Sequence, residues 1–84
     1  MKKIIFSEHA LSRMKTRGAT KEEVELTINI GEKVLAEQNR LAFRKNFAFN
    51  GYWKEKFYRI KQVMPIVVEE NDRCIVVTVY TFYF

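Results

Sequence analysis

Ser7-Glu8-His9-Ala10-Leu11-Ser12-Arg13-Met14-Lys15-Thr16-Arg17-Gly18-Ala19-Thr20-Lys21-Glu22-Glu23-Val24 reads as two helices separated by a single stop. Ser7 is placed as an N-cap, and Glu8 follows in the first turn, where the positive end of the helix dipole favours a carboxylate. Phe6 and Leu11 flank that cap as a hydrophobic staple. Gly18 supplies the left-handed residue that ends a helix. Thr20 and Glu23 then match a capping box, with Ala19 and Val24 at the staple positions. Val24, Thr27, Ile28 and Gly31 recur at helical spacing, and Gly31 closes the second helix. The stretch predicts an αα-hairpin, preceded by a short β-prone run from Lys2 to Phe6.

The pattern changes to strands from Val34 onward. Leu41, Phe43, Phe47 and Phe49 alternate with Ala42, Arg44, Asn46 and Ala48, the period of a half-buried strand. Asn50-Gly51 is the dipeptide most typical of a type I′ hairpin turn, so the return strand is predicted from Tyr52 to about Val63. Pro65 predicts a bulge or an edge position. Ile66-Val67-Val68 and Ile75 to Val79 pair around a second turn at Asn71-Asp72, and the last strand, apolar on both faces, is predicted to be central. The order is β-α-α-β-β-β-β. This is an α+β domain over residues 1–84, with two N-terminal helices packed on a four- or five-stranded, mainly antiparallel sheet.

Composition narrows the chemistry. Hydrophobic residues make up 48% and aromatics 14% of 84 residues, enough for one modest core. The single cysteine, Cys74, excludes an internal disulfide and a Cys-based zinc cluster, and its Arg-Cys-Ile-Val-Val setting reads as a small hydrophobe in a strand. The apolar stretch after Lys2-Lys3 stops at Phe6, too short for a signal peptide, and no apolar run reaches the ~20 residues of a membrane span. A cytoplasmic protein with no membrane association is expected. One His and one Cys supply no transition-metal ligand set, and there is no Gly-rich loop for a nucleotide, so neither metal nor cofactor is expected. Glu69-Glu70 point to opposite faces if they lie in a strand, and read as the border of a turn.

The net charge of +5 is unevenly spread. Residues 1–19 carry +4, residues 20–37 carry −3, residues 38–63 carry +6 and residues 64–84 carry −2. Two basic segments meeting in space would make one face suited to a polyanion. On the first helix His9, Arg13 and Arg17 recur every fourth residue, which sets them on one line about 6 Å apart. His9 is expected at the edge of the core. It can act as acid or base near neutral pH, and the arginine forks can grip phosphate. Arg44, Lys45, Arg59 and Lys61 add cations from the middle strands, and Tyr52, Trp53 and Tyr58 offer faces on which bases can stack. A surface helix can carry the same line by chance, and an amphipathic strand commonly interleaves lysines with aromatics, so the residues alone leave cleavage, binding and a plain solvated face open.

Phe6-Ser-Glu-His9-Ala-Leu-Ser-Arg13-Met-Lys-Thr-Arg17-Gly18, followed by Thr20-Lys-Glu-Glu-Val24, resembles the opening of a small prokaryotic family of unknown function with a His-Ala-x-x-Arg-Met-x-x-Arg-Gly motif. Thr78-Val79-Tyr80 resembles its closing strand. That family is in turn similar to the RelE-like toxins and to the compact metal-independent ribonucleases that include barnase and the colicin nucleases. The resemblance implies a RelE-like fold and RNA cleavage by acid–base chemistry, with His9, Arg13, Lys61 and Tyr80 as catalytic residues. Arg17, Arg44, Lys45 and Arg59 would then bind RNA. It also implies partners: RNA, including ribosome-bound mRNA, and an antitoxin protein. A non-catalytic module binding RNA or protein through the same basic face is the alternative. A further reading makes Tyr80-Thr-Phe-Tyr-Phe84 an assembly surface, as in a homodimer.

Overall fold

Ser7 opens the first helix as its sequence predicts. In the computed structural model, which describes residues 2–84, its Oγ accepts the Ala10 N–H at 3.0 Å. The same Oγ donates to the Val77 carbonyl at 3.1 Å, so one hydroxyl both caps the helix and ties it to the last strand. Helix α1 (Glu8–Arg17) ends at Gly18, whose φ of 77° is the left-handed region that glycine enters without steric cost. A side chain there would also lack space, since a Cβ would lie 2.7 Å from the Tyr83 hydroxyl and 2.8 Å from the Trp53 ring. Helix α2 (Lys21–Ile30) carries the complete capping box: Thr20 Oγ1 accepts from the Glu23 N–H, and Glu23 Oε1 accepts from the Thr20 N–H.

Five strands complete the chain: β1 (Lys3–Phe6), β2 (Glu32–Leu35), β3 (Leu41–Trp53), β4 (Lys56–Glu69) and β5 (Arg73–Tyr83). They form one mixed sheet in the order β1-β5-β4-β3-β2, in which β1 runs parallel to β5 and every other pairing is antiparallel. The fold is α+β. Both helices lie between β1 and β2 and cover one face of the sheet, α1 on β5 and α2 on β4 and β3. Ala10 and Met14 of α1 and Val24 of α2 meet Val63, Val67, Cys74, Val76 and Val79 in a valine-rich core. β5 is central, as its two apolar faces predict, but only up to Val76, where its pairing with β1 ends.

The hairpin differs from its sequence signal. Asn50-Gly51 is a bulge inside β3: Asn50 has φ 46°, the β3–β4 register slips between Ala48 and Gly51, and the strand continues to Trp53. The chain reverses at Lys54-Glu55, with φ of 50° and 71°, so the return strand starts at Lys56 and not at Tyr52. Aromatic packing outweighs the local turn preference. Trp53 stacks on Tyr83 at 4.9 Å and Tyr52 meets Phe57 edge-on at 5.6 Å, contacts that an earlier turn would remove. Pro65 is fully buried in central β4 and not at an edge. It stands opposite Phe43, where the β3–β4 pairing lapses between Ala42/Ile66 and Lys45/Val63 without a change of register, as a residue with no N–H to donate requires.

Candidate functional site

The line His9-Arg13-Arg17 runs along α1 beside β5, held there by the Ser7 bridge to Val77. Ala10 and Met14 turn into the core, which rotates the neighbouring His9 and Arg13 outward. His9 is therefore exposed, and not at the core edge as its spacing predicted. Arg13 Nε donates to His9 Nε2 at 3.4 Å. That bond is long, between two exposed side chains, and an incoming anion can displace it at small cost.

Arg17 closes the line differently. Beyond Val76 no strand of the described residues flanks the outer side of β5, and Arg17 reaches over this open edge. Its Nη1 donates to the Val79 carbonyl at 2.8 Å, and its guanidinium lies 4.8 Å from the centre of the Tyr80 ring. The strand carbonyl takes one arm of the fork, and the ring holds the rest in place. His9, Arg13, Arg17 and Tyr80 thus follow one strip along α1 and the β5 edge, with Arg13 against His9 and the Arg17–Tyr80 pair about 12 Å from His9 along the helix axis. Thr78 shares the face of Tyr80, two residues away.

Lys61 is elsewhere. It lies on central β4 as expected, but it is 6% exposed and bound at the far end of α1. Its Nζ sits 2.8 Å from Glu23 Oε2 and donates to the Gly18 carbonyl at 2.9 Å, with the Phe49 ring at 5.5 Å. Gly18 is nine residues from His9, about 13 Å along the helix axis. Lys61 is thus committed to an ion pair that joins α2 to the sheet, and it is not part of the His9 strip. Nothing in the sequence marked Glu23 as its partner, because the capping box had already accounted for that carboxylate.

The remaining basic residues divide into two groups. Arg44 pairs with Glu32 across β2 and β3, and the Lys45 ammonium lies 4.9 Å from the Phe47 ring centre. Those two border a cleft of about 150 Å³ with Glu32, Asn46 and Gln62. Arg59, Lys54 and Lys56 stand exposed around the β3–β4 tip with no carboxylate partner among the described residues. A second cleft of about 220 Å³, at the β1 end, is lined by Ile4, Ile28, Phe43 and the buried Cys74, with the Lys2–Glu69 ion pair at its mouth. Burial, and next the charge of Glu69, push the Cys74 thiol above its ordinary value, which suits an inert core residue. Glu69 and Glu70 border the β4–β5 turn, and Glu70 pairs with Arg73. Among the described residues, no helix is long and apolar enough to cross a membrane.

Comparison with known proteins adds no relative: no family model, curated protein or solved structure matches the chain.

Proposed function

We propose that this chain is a RelE-like, toxin-type ribonuclease that cleaves RNA without a metal ion along the His9-Arg13-Arg17-Tyr80 strip. The observation that carries the reading is the exposed Arg13–His9 contact at 3.4 Å, in line with Arg17 over Tyr80. It puts a titratable imidazole beside one guanidinium group, with a second two helical turns along the same accessible edge, groups that phosphodiester chemistry uses. His9 takes the proton from a ribose 2′-hydroxyl as its oxygen attacks phosphorus. Arg13 and Arg17 neutralise the charge that builds on the non-bridging oxygens. The bond to the 5′-oxygen breaks, that oxygen takes up a proton from water, and a 2′,3′-cyclic phosphate remains. Tyr80 also offers its ring to the leaving nucleoside. An antitoxin covering this basic edge belongs to the same reading.

Cleavage of RNA in the presence of EDTA tests it. His9→Ala is expected to slow cleavage by roughly 10²–10⁴, the usual share of a general acid or base. Arg13→Ala should slow it as well. If the wild-type protein cuts neither free nor ribosome-bound RNA, the enzyme reading fails. One observation favours the alternative, an RNA-binding module without catalysis: Lys61 is held by Glu23 and supplies no second cation to the strip. That reading expects salt-sensitive RNA binding that survives His9→Ala and weakens on substitution of Arg59 or Arg44.

A further inference from the structure

Among the described residues, no element covers the face of the sheet opposite the helices. Val79, Thr81 and Tyr83 of β5 turn toward the helices: Val79 lies in the core, while the Thr81 and Tyr83 hydroxyls both donate to the Arg17 carbonyl. The alternation of a strand therefore places Tyr80, Phe82 and Phe84 on the open face. Their exposures are 41%, 41% and 61%. At the β3–β4 tip, Trp53 packs with Tyr83 toward Gly18, which leaves its neighbour Tyr52 and the paired Phe57 turned away. Tyr52 is 74% exposed and Phe57 49%.

All the exposed aromatic rings of the described residues are thus on one side, whereas the exposed aliphatic residues Leu26, Ile30 and Leu35 belong to α2 and β2. The rim is basic at both ends. Arg17 reaches over the edge onto Tyr80, and at the hairpin tip Arg59 is exposed, with Lys54 and Lys56 behind it over the Trp53 and Tyr58 rings and Glu55 as the acid among them.

We propose that this open face is a stacking platform for single-stranded RNA, with Tyr80, Phe82, Phe84, Phe57 and Tyr52 receiving successive bases and the basic rim following the backbone. Alternate residues of a strand are about 6.8 Å apart. That is twice the ~3.4 Å rise of a stacked nucleic-acid strand, so the spacing fits a strand whose bases are opened out. Aromatic faces accept any base, and a duplex hides its bases from them. A second copy of this chain fits less well. A two-fold contact through this face would bring the basic rim against its own equivalent. The proposal takes RNA as the ligand from the preceding section and does not depend on cleavage.

The test is binding, by fluorescence anisotropy, of a 12-nucleotide 2′-O-methyl RNA, which lacks the hydroxyl needed for cleavage. The single strand should bind more tightly than the duplex of the same sequence. Phe82→Ala, Phe57→Ala and Tyr52→Ala should each weaken binding roughly five- to hundred-fold. Phe82→Leu keeps the apolar surface and removes the π face, and it should behave like Phe82→Ala. Equal affinity for single strand and duplex, or unchanged binding in these variants, overturns the platform. So does a solution mass of twice the monomer that reverts with Phe82→Ala but not with Phe82→Leu, which would assign the face to a second copy. Loss of RNA cleavage as an activity, with this binding pattern intact, removes the enzyme reading and leaves the platform standing.

Discussion

Lys61 is the residue at which charge and burial conflict most. Its ammonium is almost out of solvent, paired with Glu23 and donating to the Gly18 carbonyl. Glu23 is shared, one oxygen capping α2 and the other holding Lys61. Lys61→Met should therefore cost about 2 kcal/mol, less than the roughly 3–5 of a fully buried pair, because Glu23 retains some contact with water. Urea denaturation measures it, and a loss below a few tenths of a kcal/mol would show that the pair is not structural. His9, by contrast, is exposed, and the side-chain hydrogen bond it makes among the described residues is the long one from Arg13. His9→Ala should leave the urea midpoint unchanged, so that any loss of activity in that variant is chemical. Both residues were legible as cations or titratable groups of interest in the sequence. What separates their roles is burial, which residue spacing does not encode.

The β3–β4 hairpin shows an element whose local signals and tertiary contacts disagree. Asn50-Gly51 is the stronger turn dipeptide, yet the reversal falls on Lys54-Glu55, two residues that must both adopt positive φ. For residues other than glycine the left-handed region costs roughly 1–2 kcal/mol each. Packing of Trp53 on Tyr83 and Phe49 against Tyr83 offsets that cost and fixes the hairpin's length. Glu55→Gly should accordingly raise stability by about 1 kcal/mol, read from the thermal or urea midpoint. A fall in stability would mean that the turn conformation is not the one described. The helices behaved differently, because Ser7, Gly18, Thr20 and Glu23 satisfy their backbone groups locally, with no distant partner needed.

At the scale of the whole molecule, the pairing of β1 with β5 brings the first and last segments together and sets Cys74 in the core at 3% exposure. Burial pushes its thiol upward from 9.0, and burial likewise pushes the Tyr83 phenol upward from 10.0. Both groups are raised in the folded state, so their contribution is fully present below pH 9 and is lost as pH climbs past it, because the unfolded chain ionises first. The urea midpoint should hold steady up to about pH 9 and fall above it. Cys74→Val should reduce the first part of that fall; an identical profile in the variant would show that the thiol does not ionise differently in the folded protein. The same packing brings the end of α1 onto the β3–β4 hairpin, where the Trp53 ring lies against Gly18 and Lys61 donates to its carbonyl.

The two capped helices, the order of the elements, the α+β class and the His9-Arg13-Arg17 line were all readable from residue order alone. Each of these rests on interactions within a few residues, where spacing and side-chain type suffice. Only the tertiary structure decided that Lys61 belongs to an ion pair, that Asn50-Gly51 is a bulge, and that Arg17 reaches over an open strand edge onto Tyr80. It also decided that the exposed aromatics gather on one face. Those outcomes depend on partners up to sixty or more residues apart in the chain, whose burial and hydrogen bonds exist only once the sheet has closed.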